Sequence, residues 1–144
     1  MTLYTIGFTK KSAEEFFGIL TKNSVRRIID TRLNNKSQLA GFTKEEDLKY
    51  FLKKISNIDY VYMPQWAPTE EILNGYRKKL INWQEYEKKY MDVLKARNIL
   101  EKLDLTILED SCLLCSEEKP EYCHRRLLAE YLAKCNNNTK VIHL

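Results

Sequence analysis

The chain has 144 residues, 44% of them hydrophobic and 31% charged, and its 24 Lys and Arg against 20 Asp and Glu leave a net charge of +4. That length suits a single domain over residues 1–144, large enough to bury a core without disulfide staples or a structural metal. The composition is ordinary for a soluble globular protein, and no apolar run nears the ~20 residues of a membrane helix; the mild positive charge permits a phosphate-bearing ligand or nucleic acid without demanding either.

The opening Met1-Thr2-Leu3-Tyr4 lacks the basic-then-apolar layout of a secretory signal, so a cytoplasmic protein with no membrane partner is expected. In that setting Cys112, Cys115, Cys123 and Cys135 are expected to be thiols, metal ligands or redox centres rather than structural bridges.

Thr2 to Gly7 is short, β-prone and closed by a glycine, which predicts a first strand. Ser12-Ala13-Glu14-Glu15 is a capping box, and Phe16, Phe17 and Leu20 continue it at helical spacing to about residue 22. Val25 to Thr31 reads as a buried strand, and residues 32 to 42 as a loop rich in Asn, Ser and Gly. Thr43-Lys44-Glu45-Glu46 forms a second capping box, ahead of a helix whose buried stripe is Leu48, Phe51, Leu52 and Ile55. Ile58 to Met63 predicts a third strand, and Pro64 and Pro68 bracket a loop.

Thr69 caps a helix with Glu70 and Glu71 in its first turn, where the dipole favours acids. A longer helix over about 82–101 places Trp83, Tyr86, Tyr90 and Leu94 on one face, a core stripe or partner surface rather than a cofactor box. The mixed charges between 69 and 102 read as a solvated face, and 103–110 is ambiguous between strand and helix end. Ser111 to Ser116 predicts a strand, 121–135 a helix with Cys135 on its buried stripe, 136–138 a turn, and Thr139 to His143 a last strand. Alternation of strand and helix throughout predicts an α/β fold: three layers, with a mostly parallel sheet covered by helices on both faces.

In such sheets ligands sit beyond the carboxyl ends of the strands. The predicted strand ends here carry Gly7 and Thr9, Asp30 and Arg32, and Cys115 and Glu117, with Cys123, His124, Arg125 and Arg126 opening the last helix. These residues are expected to meet in one pocket. Gly7 would allow close approach of backbone to a ligand or serve a simple turn. Asp30 and Arg32 would pair, or Arg32 with Ser37 would hold a phosphate or carboxylate. Two cations at a helix N-terminus oppose its dipole unless an anion binds there or nearby glutamates pair with them, which leaves Arg125 and Arg126 open to either role.

Three chemistries suit these groups. Cys115 or Cys123 could act as a nucleophile with His124 or Glu117 carrying the proton. Cys115, Cys123 and His124 could bind zinc with Cys112 as a fourth ligand, although residues three apart in a strand face opposite sides. Cys115 and Cys123 could form a redox pair. The interval from Cys115 to Arg125 excludes the cysteine phosphatase loop, and no dinucleotide or Walker glycine motif is present.

With these residues in view, the chain resembles the family known as domain of unknown function 488 over nearly its whole length. Thr5-Ile6-Gly7-Phe8-Thr9 is similar to that family's T-I-G-[HY]-[ST] strand, and Ile29-Asp30-Thr31-Arg32 with Ser37 to its D-x-R…S element. Leu114-Cys115-Ser116-Glu117 and Cys123-His124-Arg125-Arg126 are similar to its L-C-x-E…C-H-R signature. The resemblance implies a small α/β fold with a pocket at these motifs and implies no reaction or cofactor. One departure is Gln65-Trp66-Ala67-Pro68-Thr69, where many members carry Leu-Gly-Gly. The leading expectation is a pocket for a phosphorylated or nucleotide-like anion, with turnover through Cys115, Cys123 and His124. A nucleic-acid binding module and a zinc protein are the alternatives.

Overall fold

The fold is described by a computed structural model covering residues 1–36 and 40–144. Ten regular elements follow one another: β1 (Thr2–Gly7), α1 (Ala13–Lys22), β2 (Arg27–Asp30), α2 (Glu45–Ser56), β3 (Asp59–Tyr62), α3 (Glu70–Arg77), α4 (Trp83–Ala96), β4 (Ser111–Cys115), α5 (His124–Ala133) and β5 (Lys140–His143). Short 3-10 turns occupy Gly41–Thr43, Pro64–Trp66 and Leu105–Ile107, the last within the segment that read ambiguously.

The strands form one sheet in the order β3-β2-β4-β1-β5, and every pairing is parallel. The three central strands hold near-continuous apolar runs because helices cover both of their faces. On one face Ile6, Ile28, Cys112 and Leu114 pack against Phe16, Phe17 and Leu20 of α1 and Leu48 and Leu52 of α2. On the other, Leu3, Ile29 and Leu113 pack against Ile72 of α3, Tyr86, Tyr90 and Leu94 of α4, and Leu127, Leu128 and Leu132 of α5. Each such fully buried aliphatic side chain contributes roughly 1.5–3 kcal/mol. The expected three layers are therefore present.

The topology also sets where a ligand could enter. β2 hands its chain to α2 on one face, and its neighbour β4 hands its chain to α5 on the other. The two connections diverge and leave a crevice above the shared strand ends. Register keeps those ends level, with Gly7 opposite Cys115 and Asp30 opposite Leu114.

Several local expectations are corrected. Thr43 does not cap α2: it sits in the 3-10 turn and its hydroxyl donates to the Ala40 carbonyl at 2.7 Å, so Lys44 holds the cap position without a side-chain bond. Ile55 is 57% exposed, because α2 presents only Leu48 and Leu52 squarely to the sheet. Trp83 is only partly buried, whereas Tyr86, Tyr90 and Leu94 are fully so. α4 stops at Ala96, and α5 starts at His124 rather than 121. Cys135 is exposed, not core, because α5 ends at Ala133 and the helical projection no longer holds beyond it. Ser37 lies outside the described residues.

Candidate functional site

β4 ends on Cys115, the segment 116–122 turns back, and Cys123 becomes the N-cap residue of α5 with His124 as its first helical residue. A bond from the Cys123 amide to the Pro120 carbonyl, at 3.2 Å, tightens this turn. The Cys115 and Cys123 sulfurs and one His124 ring nitrogen lie within 4.8 Å of one another, and all three residues are buried. Cys112 does not join them. It points to the opposite face of β4, among Ile6 and Leu114, where burial pushes its thiol well up. The alternation of a strand thus removes it as a fourth ligand.

Arg125 is the hub of the turn. Its guanidinium is fully buried. Nη1 donates to the Glu117 carbonyl, reaches Cys115 Sγ at 3.1 Å and approaches Cys123 Sγ at 3.8 Å; Nη2 donates to the Glu118 carbonyl at 3.1 Å. Burial opposes ionisation of Cys115, but the Cys123 thiol donating to it and the adjacent Arg125 charge outweigh that and hold its thiol below the ordinary value. Burial and the same pairing push Cys123 well up, so it stays the protonated donor. Of the two, Cys115 therefore ionises the more readily, beside a fixed cation.

His124 is neutral. Burial lowers its pKa to about 4, against a partly opposing bond to Thr31. Its Nε2 lies 3.0 Å from the Thr31 carbonyl and 3.1 Å from Thr31 Oγ1, whose own proton goes to the Leu114 carbonyl at 2.8 Å. Both Thr31 oxygens thus act as acceptors, which assigns the proton to Nε2 and leaves a lone pair on Nδ1. The Tyr90 ring packs edge-on against the imidazole at 5.8 Å.

Beside this cluster Arg32 is gripped by Asp30 through two bonds of 2.8 Å, Nε to Oδ1 and Nη2 to Oδ2. Tyr60 donates to the same carboxylate at 2.6 Å, and Phe8 lies under the guanidinium at 5.5 Å. Arg32 Nη1 is buried and finds no partner among the described residues. An oriented guanidinium with a spare donor is suited to a carboxylate or phosphate oxygen.

A cleft of about 1150 Å³ opens over these groups, between the α3–α4 pair and the β4–α5 turn. Of the residues singled out in the sequence, Arg32, Cys115, Glu117, Cys123 and His124 line it. Asp30 lies beneath, holding Arg32, and Arg125 lies behind the sulfurs. Gly7 does not face the cleft: a Cβ there would collide with the Glu117 carbonyl and sit 2.7 Å from Arg125 Nη1, so the glycine admits the chain's own turn. Thr9 latches that turn from outside, its hydroxyl donating to the Ser116 carbonyl at 2.6 Å. Arg126 points away and pairs with Glu130 at 3.0 Å and Glu87 at 4.0 Å.

The far wall of the cleft carries no signal in the sequence. Glu70, Asn74 and Arg77 of α3, Lys79, and Asn82 and Glu85 at the start of α4 line the cleft, and Tyr86 reaches it from the core. The charged ones belong to the 69–102 stretch expected to be a solvated face, and Tyr86 to the stripe expected to be core or a partner surface. Only the folding of the α3–α4 pair over the sheet edge brings them there, so no local pattern marks them.

Fold and site together define a small parallel α/β protein with a cysteine-centred cleft at the carboxyl edge of its sheet. Two cysteines and a neutral imidazole form the floor, with a buried guanidinium behind them. The chain belongs to the family described as domain of unknown function DUF488, whose model matches residues 12–132. The matched span holds Asp30, Arg32 and the whole Cys115–Arg125 turn, whereas Thr5 to Thr9 precede it. No curated protein and no solved structure matches the chain. Among the described residues, no helix is long and apolar enough to cross a membrane.

Proposed function

We propose that the cleft is the active site of a cysteine-dependent enzyme acting on a small substrate that bears one anionic group, phosphorylated or nucleotide-like. The observation that carries this reading is the 3.1 Å approach of Arg125 Nη1 to Cys115 Sγ on the cleft floor, which supports a thiolate nucleophile. Arg32 anchors the substrate anion through its spare donor. Glu117, on the cleft wall, exchanges protons with water, while neutral His124 orients the turn through Thr31. The walls balance Arg32, Arg77 and Lys79 with Glu70, Glu85 and Glu117, which favours a small ligand over a polyanionic nucleic-acid backbone.

The test has two arms. Iodoacetamide near neutral pH should alkylate Cys115 faster than an ordinary thiol, and Cys115→Ser should lose that reaction. A thermal-shift panel of nucleotides and sugar phosphates should stabilise the wild type and leave Arg32→Gln unmoved. Slow, unselective alkylation together with no stabilising compound would sink the reading.

A second reading rests on one specific observation. Two sulfurs and an imidazole within 4.8 Å resemble the three-ligand arrangement of an open zinc site, with the fourth position toward the cleft. The bond from His124 Nε2 to Thr31 is the kind of outer contact that orients a ligating histidine. Elemental analysis of the purified chain decides it: one zinc per chain, lost in Cys123→Ser, supports a metal site, and absence of stoichiometric metal rejects it.

A further inference from the structure

We propose that Cys115 and Cys123 form a peroxide-reactive dithiol pair that closes reversibly into a disulfide, Cys115 attacking the oxidant and Cys123 resolving the product. The proposal rests on Cys115 being the nucleophile of the cleft, and it adds a class of co-reactant, a hydroperoxide, and a distinct task for Cys123.

Geometry selects this pair among the four cysteines. The two sulfurs are within 4.8 Å, so a disulfide of about 2.05 Å needs less than about 3 Å of relative movement. Cys112 faces the other side of the sheet, and Cys135 lies exposed beyond the end of α5. Cys123 is the member of the pair that stands at a helix boundary. It occupies the N-cap position with an extended backbone, its side chain makes no cap bond, and it follows a segment without helix or strand from 116 to 122. Both cysteines line the cleft, which admits an oxidant little larger than water. Arg125 Nη1 contacts both from one side, 3.1 Å from one sulfur and 3.8 Å from the other, and steadies negative charge on either.

The chemistry balances. The Cys115 thiolate attacks the outer, hydroxyl oxygen of the hydroperoxide, the O–O bond breaks, and the departing oxygen leaves as water or an alcohol with the proton that the Cys115 thiol released on ionising. Cys115 is then a sulfenic acid. Cys123 gives up its proton and attacks the Cys115 sulfur; the S–O bond breaks, and the hydroxide leaves as water with that proton. Two thiols are oxidised by two electrons, and the hydroperoxide is reduced by two. Two external thiols, or one dithiol, return the pair to its starting state and leave as a disulfide.

The test uses the full chain with Cys135→Ser as background, so that no exposed thiol confuses the products. Stoichiometric hydrogen peroxide is added near neutral pH, with dimedone to trap sulfenic acid, and intact mass is read. The background protein should lose about 2 Da without a dimedone adduct and regain the mass with dithiothreitol. Adding Cys123→Ser should stop the reaction at Cys115 and give the adduct. Adding Cys115→Ser should slow peroxide-dependent thiol loss by about tenfold or more. If the background protein gives as much Cys115 adduct as the Cys123→Ser protein, the resolving role is overturned while the nucleophile stands. If iodoacetamide labels Cys115 rapidly but peroxide changes nothing, the pair is again overturned. If neither reagent reacts, the nucleophile reading itself has failed.

Discussion

Arg125 holds two backbone carbonyls, two sulfurs and a helix start together from a fully buried position. Replacing it by Met would leave buried acceptors without donors and Cys115 without its neighbouring cation. Arg125→Met should therefore lose at least about 3 kcal/mol in urea unfolding, and its Cys115 should alkylate about tenfold more slowly near neutral pH. The wild-type alkylation rate should fall with decreasing pH at a midpoint below that of a free thiol, because the thiol ionises below its ordinary value in the fold. Gly7 belongs to the same knot. Gly7→Ala must push the Glu117 carbonyl, which is backbone and cannot swing aside, so a loss above about 2 kcal/mol in unfolding free energy is expected.

Helix starts show how a sequence signal depends on its surroundings. Ser12, Thr69 and Asn82 each accept a bond from a first-turn amide, as their spacing to an acidic or capped residue foretold for the first two. Thr69→Ala should cost about 1 kcal/mol. Thr43 has the same local signature, yet the chain enters α2 through a 3-10 turn that turns the hydroxyl to Ala40 instead. The cap position of α2 is left to exposed Lys44, whose backbone is already extended. Lys44→Asp should supply the absent cap and stabilise by roughly 0.5–1 kcal/mol, read as a higher urea midpoint with an unchanged slope. The C-terminal elements carry the opposite lesson: Cys135 lay on an apolar repeat, but the helix ends before the repeat reaches it.

At the scale of the whole molecule, burial of His124 couples the site to global stability. Its pKa is lowered from 6.5 to about 4, so the unfolded chain takes up a proton over a range where the fold does not. Stability is fully present above about pH 6.5, declines as pH falls toward about 4, and levels below that. The full effect is roughly 3 kcal/mol. Urea titrations across that window should show the decline in the wild type and a flatter profile in His124→Gln. A steeper profile in the variant would contradict the assignment of His124 as the neutral, buried group.

The amino-acid pattern by itself was enough to specify the order of strands and helices, the parallel sheet with two covered faces, and the gathering of Arg32, Cys115, Glu117, Cys123 and His124. Those features follow from period, turn chemistry and the rule that parallel strands end at one edge, all of which act over a few residues or one topology. Only the tertiary structure decided the rest. It turned Arg126 outward, spent Gly7 on the chain's own turn, placed Arg125 behind the sulfurs, and laid α3 and α4 over the edge as the second wall. Contacts between segments far apart in the chain have no period to betray them; they exist only once both helical layers close on the sheet.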